Sequence, residues 1–369
     1  MKPFIALVAL TCLVLASSVH AQLYSVTDLG VLSGDNASGG LGINNSSVVV
    51  GYSQNFSGQN HAFSYSGGVM TSLGNLGGSS GSTANAINSG GTIVGTSYIT
   101  GNSAQHAFSY SGGVMTDLGT LGGSTSTARA INSGGTIVGL SNTSGDVATH
   151  AYSYSAGVMT DIGTLGGSLS SALGINTTGT IVGMSYITGN SNYHAFSYSG
   201  GVMTDLGTLG GNRSTSWGLN DAGTIVGDAN ISNGNDDAFV YSGGVMTDLG
   251  TLGGTQAAGF AINSSGTIVG GSYNTGNTAF RAIIDSGGVM TDLNTLLDAT
   301  GAGWSLWQAN GINDSGQIVG YGYDGGQQHA FLLTLDVVPE PSACAMLVGG
   351  LGLLGLVLLC RKLHAERGA

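Results

Sequence analysis

Ala128-Arg129-Ala130-Ile131-Asn132-Ser133-Gly134-Gly135-Thr136-Ile137-Val138-Gly139 decides the fold, because versions of it return at a near-constant spacing. The Ile-Asn (or Leu-Asn) pair recurs at Asn44, Asn88, Asn132, Asn176, Asn220, Asn263 and Asn313, in steps of 44, 44, 44, 44, 43 and 50 residues. A fixed period of this length marks a propeller, a solenoid or an array. Outward from the quoted stretch, each block continues through a polar loop to His150-Ala151-Tyr152-Ser153-Tyr154 and then Gly157-Val158-Met159-Thr160-Asp161-Ile162-Gly163. Each block therefore holds four short runs rich in Ile, Val, Thr, Tyr and Phe, separated by Gly, Ser and Asn. That is the pattern of strands and tight turns rather than helices. Ser-Gly-Gly between the first two runs suits a hairpin, since Gly accepts positive φ.

The order of the runs points to a ring. The Asp-Leu-Gly run first appears at Tyr24–Gly30, ahead of any His-Ala-Phe run, while the last His-Ala-Phe run, His329–Leu335, has no Asp-Leu-Gly run after it. The N-terminal strand thus supplies the strand that the last block lacks. A closed ring explains the offset and hides sheet edges, whereas an open solenoid calls for polar caps instead. The expected fold is all-β: a seven-bladed β-propeller of four-stranded blades over residues 22–336, closed by the N-terminal strand. The repeated Met70, Met115, Met159, Met203, Met246 and Met290 are expected to pack between blades.

Lys2, the apolar stretch Phe4–Leu15 and Val19-His20-Ala21 read as a signal peptide over residues 1–21, cut before Gln22. Near the other end, Pro339-Glu340-Pro341 precedes an apolar run over 343–360 and then Arg361-Lys362. Eighteen apolar residues span a bilayer as one C-terminal transmembrane helix, and the basic end stays in the cytoplasm. This tail, residues 337–369, resembles the PEP-CTERM sorting signal of Gram-negative bacteria. The resemblance implies an exosortase as partner, an inner-membrane anchor before processing, and then release or attachment at the cell surface in organisms that make exopolysaccharide. The body resembles the HAF-repeat family of extracellular bacterial proteins, on the stretch His-Ala-Phe-Ser-Tyr-Ser-Gly-Gly-Val-Met-Thr-Asp-Leu-Gly that begins at His106 and His194, with close copies at His61 and His150. That resemblance implies secretion and a repeat fold, and no activity.

Composition narrows the function. Hydrophobic residues make up 41% and charged residues 7% of the chain, which is not a disordered composition. Between Gln22 and Val338 there is no Lys and no Glu; Arg129, Arg213 and Arg281 stand against all 17 Asp. Nucleic-acid binding needs cationic neutralisation of phosphates, so it is excluded as an expectation. Cys12 falls in the signal peptide and Cys344 and Cys360 in the tail, so the repeat domain relies on its core and ring closure rather than on disulfides.

No catalytic residue, metal ligand or cofactor is assigned. The recurring His61, His106, His150, His194 and His329 read as structural, bonding a neighbouring loop, with Asp237 and Arg281 in the two remaining positions. The recurring Asp28, Asp117, Asp161, Asp205, Asp248 and Asp292, broken by Ser72, read as acceptors of backbone N–H groups in the turn that follows. The repeated Asn also reads as turn chemistry. Departures from the repeat are where a grafted function shows. Trp217 stands just before Leu219-Asn220 with Arg213 nearby, and the long last step inserts Leu296–Trp307, with Asp298, Trp304 and Trp307. Trp217, Trp304 and Trp307 are candidate glycan contacts, because aromatic faces stack on sugar C–H groups; packing at the ring joint is the competing role for Trp304 and Trp307. The expected function is a non-enzymatic surface or matrix protein associated with exopolysaccharide. The alternatives are a polysaccharide-cleaving propeller enzyme using Asp236, Asp237 and Asp298, and a Ca²⁺-dependent adhesin.

Overall fold

The computed structural model describes residues 23–336. The expected signal peptide (1–21), and the tail with Pro339-Glu340-Pro341, the 343–360 span, Arg361 and Lys362, lie outside the described residues. Among the described residues no helix is long and apolar enough to cross a membrane.

The described chain is all-β and propeller-like, with 28 strands and a few 3₁₀ turns. β1 (Tyr24–Asp28) stands apart in sequence. The next four strands, β2 (Asp35–Ile43), β3 (Val49–Asn55), β4 (Asn60–Ser66) and β5 (Val69–Ser72), pair in that order as one antiparallel sheet. This four-strand unit then repeats along the chain. There are three separate four-stranded sheets and two eight-stranded ones. Each eight-stranded sheet is two units touching through one parallel bridge, Thr149↔Leu169 or Asp236↔Gln256. The last unit has only three strands of its own, Trp304–Ile312, Ile318–Asp324 and Gln327–Leu335, and β1 completes it in the register Tyr24↔Leu335 to Asp28↔Phe331.

The first strand of each unit is longer than the Ala-x-Ala-Ile run suggests. In the second to sixth units it starts at the Gly-Gly pair, as in Gly122–Ile131 and Gly166–Ile175. Ser in this stretch was expected to separate the runs; instead it bonds neighbouring units. The Ala62, Ala107, Ala151 and Ala195 amides donate to the hydroxyls of Ser82, Ser126, Ser170 and Ser214 in the next unit, and the Ala330 amide donates to Ser38 in the same way at 2.8 Å. The last unit therefore grips the first as each of the first four units grips its successor.

A second circuit runs at the C-terminal ends of the first strands. Each repeated Asn uses Oδ1 to accept the amide four residues on, as in Thr92 and Thr136, which is the expected turn role. Its Nδ2 does something the sequence did not disclose: it donates to the carbonyl of the next repeat's Asn. The chain of bonds passes from Asn44 through Asn88, Asn132, Asn176, Asn220, Asn263 and Asn313 and returns to Asn44, at 3.1 to 3.3 Å throughout. These Asn are buried, so each bond satisfies groups that would otherwise be costly. With the residue before and after them, they line a cavity of about 260 Å³ at the centre of the circuit.

The core lies between units. One cluster joins Val138, Ala151 and Ile162 to Ala172, Ile181 and Phe196 of the next unit, with Met203 packed against it. Met70, Met115, Met159 and Met246 pack against the equivalent clusters.

Candidate functional site

The repeated His and Asp, read separately in the sequence, form one pair. His106 Nδ1 lies 2.8 Å from Asp117, His150 2.7 Å from Asp161, His194 2.8 Å from Asp205, and His329 2.8 Å from Asp28 of β1. Ser72 removes the carboxylate from the first unit, and His61 turns to Asp35 at 2.9 Å instead. The same carboxylates accept the amide two residues on, such as Gly119 and Gly163, as expected. Both residue types are thereby used in holding the outer strands. Among the described residues no three His, Cys, Asp or Glu side chains converge as a metal site would require.

The units differ just before the Asn circuit, in the C-terminal part of the first strands. Three residues before each repeated Asn, the strand carries a β-bulge, and the bulged residues are Leu41, Asn85, Arg129, Leu173, Trp217, Phe260 and Asn310. A bulge adds one residue to its strand and re-aims that side chain. The second strand brings an equally varied position beside it: Tyr52, Thr96, Leu140, Met184, Asp228, Gly271 and Tyr321. Backbone geometry repeats here while side-chain chemistry changes, which is how a scaffold presents a site.

Two clusters fill this face. In one, Trp217 Nε1 donates to Asp228 Oδ1 at 2.5 Å and its ring meets Phe260 edge-on with centroids 5.7 Å apart. Arg213 pairs with Asp236 at 3.0 Å, Asn230 donates to the same carboxylate, and Tyr186 and Tyr193 lie 5.6 Å apart beside them. In the other, Gln328 donates to the Tyr52 hydroxyl at 3.0 Å, Tyr321 donates to Gln308 at 3.1 Å, and Trp307 meets Tyr323 at 5.0 Å.

Burial pushes the Asp228 carboxyl up to about 6; the Trp217 hydrogen bond opposes this and the Asp236 charge adds to it. That value exceeds the ordinary ~3.9 of an aspartate. Between the two values the folded protein holds a proton that the unfolded chain has released. The group's contribution to stability is therefore full at low pH, falls as pH rises from about 4 through 6, and stays reduced above. Asp228→Asn keeps an acceptor for Trp217 and removes this loss. The melting temperature of the variant is expected to exceed that of the wild type by a few degrees at pH 8 and to match it at pH 4. Equal melting temperatures at both pH values would contradict the enclosed carboxyl.

The expected glycan contacts divide. Trp217 and Trp307 are each 36% exposed on this face. Trp304 packs instead against the closing core, edge-on to Phe331, because three residues along a strand reverses the side-chain direction. Asp236 is held by Arg213, Asp237 shares burial and charge with Asp248, and Asp298 caps a 3₁₀ turn by accepting the Thr300 amide. Asp236 and Asp237 adjoin on one strand with Asp298 in a different unit, so each carboxylate has separate surroundings. Tyr52, Tyr321, Tyr323 and Gln328 were missed in the sequence. Their signal was variation at fixed repeat positions, not any motif.

Comparison with known proteins places a PEP-CTERM protein-sorting motif at residues 337–362. That motif implies an exported protein with an exosortase as processing partner. No curated protein matches the chain. Among solved structures, the chain is similar to the β-propeller domain of the Trilobed protease from Pyrococcus furiosus, described as having an open velcro topology, at TM-score 0.54 and 9% identity over 87% of this chain and 100% of that one. It is also similar to YCF48 bound to D1 peptide, at TM-score 0.51 and 12% identity over 86% of this chain and 97% of that one. At such identities the likeness shows a propeller-like fold and nothing about activity.

Proposed function

We propose that this is an exported, non-enzymatic seven-bladed propeller of the HAF-repeat type, held at the inner membrane by the 343–360 segment until exosortase processing, and displayed at the cell surface or in the matrix. Its binding face engages exopolysaccharide. The observation that carries this reading is the concentration of Trp217, Phe260, Trp307, Tyr321, Tyr323 and Tyr52, interleaved with amides, at the first- and second-strand positions where the repeats diverge. Aromatic faces with flanking Gln, Asn and Asp suit a neutral sugar's C–H surfaces and hydroxyls. The circuit of Asn bonds and the completion of the last unit by β1 support the blade count. The HAF-type assignment stands on the His-Ala-Phe motifs. Separate partners for Asp236, Asp237 and Asp298 favour binding over cleavage.

The test is a panel of bacterial exopolysaccharides flowed over immobilised full-length protein, with and without Ca²⁺, followed by product analysis. Trp217→Ala and Trp307→Ala are each expected to weaken binding roughly fivefold, in line with about 1 kcal/mol for an aromatic contact, without lowering the melting temperature much. Trp304→Ala is expected to do the reverse. Wild-type binding by both exposed-Trp variants would move the site elsewhere, and released oligosaccharide would replace this reading with the enzymatic one.

A further inference from the structure

We infer that the cavity lined by the first three units recognises an acidic sugar, a uronate within a polysaccharide, through Arg129. This deepens, and rests on, the reading of the divergent face as carbohydrate-binding. The cavity has a volume of about 360 Å³ and is lined by Asn85, Thr96, Tyr98, Gln105, Thr127 and Arg129 together with further Gly, Ser, Thr and Asn residues, and by no Asp or Glu. In a chain of net charge −12 such a lining is a local exception.

Arg129 is unlike the other two Arg of the described residues. Arg213 is paired with Asp236, and Arg281 donates to the Ser305 hydroxyl at 3.0 Å. Arg129 takes part in none of the ion pairs formed among the described residues. It sits on a bulge, between Ala128 and Ala130, that aims it into the cavity. The protein wall around it lowers its pKa through desolvation. Arg129 is nonetheless solvent-exposed at the cavity, so its guanidinium stands open without a protein counter-charge and can hold a bound carboxylate through two parallel N–H···O bonds.

A second observation points the same way. The Thr96 hydroxyl oxygen is buried without a hydrogen-bond partner, and Thr96 lines this cavity. Asn85 spends its amide nitrogen on the Ala128 carbonyl at 2.7 Å, which leaves its oxygen as an acceptor. One cation, an unpartnered hydroxyl, and Gln105 and Tyr98 as further polar groups match one carboxylate surrounded by hydroxyls. The volume suits one sugar ring rather than a long chain, so the rest of the polymer would run over the aromatic residues outside. The acidic protein repels a polyanion at a distance, but at physiological salt charges more than about 8 Å apart are largely screened, and the lining itself carries no negative side chain.

The experiment titrates full-length protein in detergent with uronate oligomers prepared from polygalacturonate and from alginate, and with the same oligomers after carboxyl reduction to neutral sugars. Wild type is expected to bind a uronate oligomer at least tenfold more tightly than its neutral counterpart. Arg129→Gln is expected to erase that preference while leaving neutral-oligomer affinity and melting temperature unchanged. Thr96→Val, which removes the unpartnered hydroxyl, is expected to keep or raise the melting temperature and to weaken uronate binding several-fold. Equal wild-type affinity for charged and neutral oligomers, or a preference that survives in Arg129→Gln, overturns this inference and leaves carbohydrate binding standing. Absence of binding to both oligomer sets and to the exopolysaccharide panel overturns the two together.

Discussion

Removing Tyr24–Gly30 is expected to unfold the protein or leave it insoluble, although the segment is only seven residues of the chain. Five of them form β1, paired from Tyr24↔Leu335 to Asp28↔Phe331. Tyr24 and Leu29 are buried, Val26 packs against the closing core, and the Leu29 amide donates to the Ala330 carbonyl at 3.0 Å. Burying a large apolar side chain is worth about 1.5–3 kcal/mol. Two such residues, a partly buried Val and the ladder bonds give on the order of 5–8 kcal/mol, comparable to the whole ~5–15 kcal/mol of a folded domain. The deletion also removes Asp28 from His329 and the Tyr24 carbonyl from the Asp298 amide, so the joint loosens on both sides. It exposes the strand Gln327–Leu335, with Phe331, Leu332 and Leu333, as an open apolar edge, and such edges pair with other chains. Urea unfolding and gel filtration of the full chain against the deletion variant measure this. A milder form, Tyr24, Val26 and Leu29 all changed to Ser, separates the lost apolar burial from the shortened chain. A midpoint close to wild type in both variants would mean that the ring does not depend on its N-terminal strand.

Much of this joint was legible in the sequence, because an orphan Asp-Leu-Gly run at one end and a missing one at the other is a matter of counting. Strand order within a unit followed from the turn residues. What escaped were relations between units. The Asn circuit needs the first strands side by side, and nothing in Ile-Asn says that its side-chain amide reaches the next Ile-Asn. The His–Asp pair escaped for the same reason, although Ser72 carried a clue: His61 loses its usual partner and takes Asp35. Ser before the Ala-x-Ala run looked like punctuation because its role, accepting an amide from the preceding unit, lies across an interface. On the divergent face, Trp217 stood out by size alone. Arg129, Asn85 and Tyr52 look ordinary until the repeated bulge shows that their positions share one surface.

Gly183→Ala, like the same change at its repeat equivalents, is expected to be a severely damaging single-atom addition to the fold. The repeated Ile-Val-Gly places a glycine at Gly51, Gly95, Gly139, Gly183, Gly227, Gly270 and Gly320, and none of them has positive φ. Their role is close approach, not backbone freedom. A Cβ on Gly183 would meet the Ser171 carbonyl oxygen at 1.9 Å and the Ala172 Cα at 3.0 Å, both backbone atoms of the adjacent first strand. The strand Ile181–Ile187, which carries Gly183, cannot retreat, because it is paired with Tyr193–Ser199 on its other side. Overpacking typically costs about 1–3 kcal/mol where neighbours yield, and here the neighbour is a paired backbone, so about 3 kcal/mol or more is expected. Gly179→Ala is the control: that glycine has φ +85° in a turn with nothing within 4 Å, and strain there costs roughly 1 kcal/mol. Thermal melts of the two variants should rank Gly183→Ala well below Gly179→Ala, and the opposite order would refute the close approach. The same geometry explains why two separate motifs recur together. Gly183 is directly opposite Phe196, as Gly95 is opposite Phe108 and Gly320 opposite Phe331. The Phe108 ring lies 2.9 Å from where a Gly95 Cβ would be, and the Phe331 ring 2.8 Å from that of Gly320. The glycine supplies the space and the aromatic ring of His-Ala-Phe fills it, so Ile-Val-Gly and His-Ala-Phe are one packing device written in two places. Phe196→Ala should therefore leave a void over Gly183 that Gly183→Ala cannot refill, since the added methyl is blocked by the Ser171 carbonyl rather than by the ring.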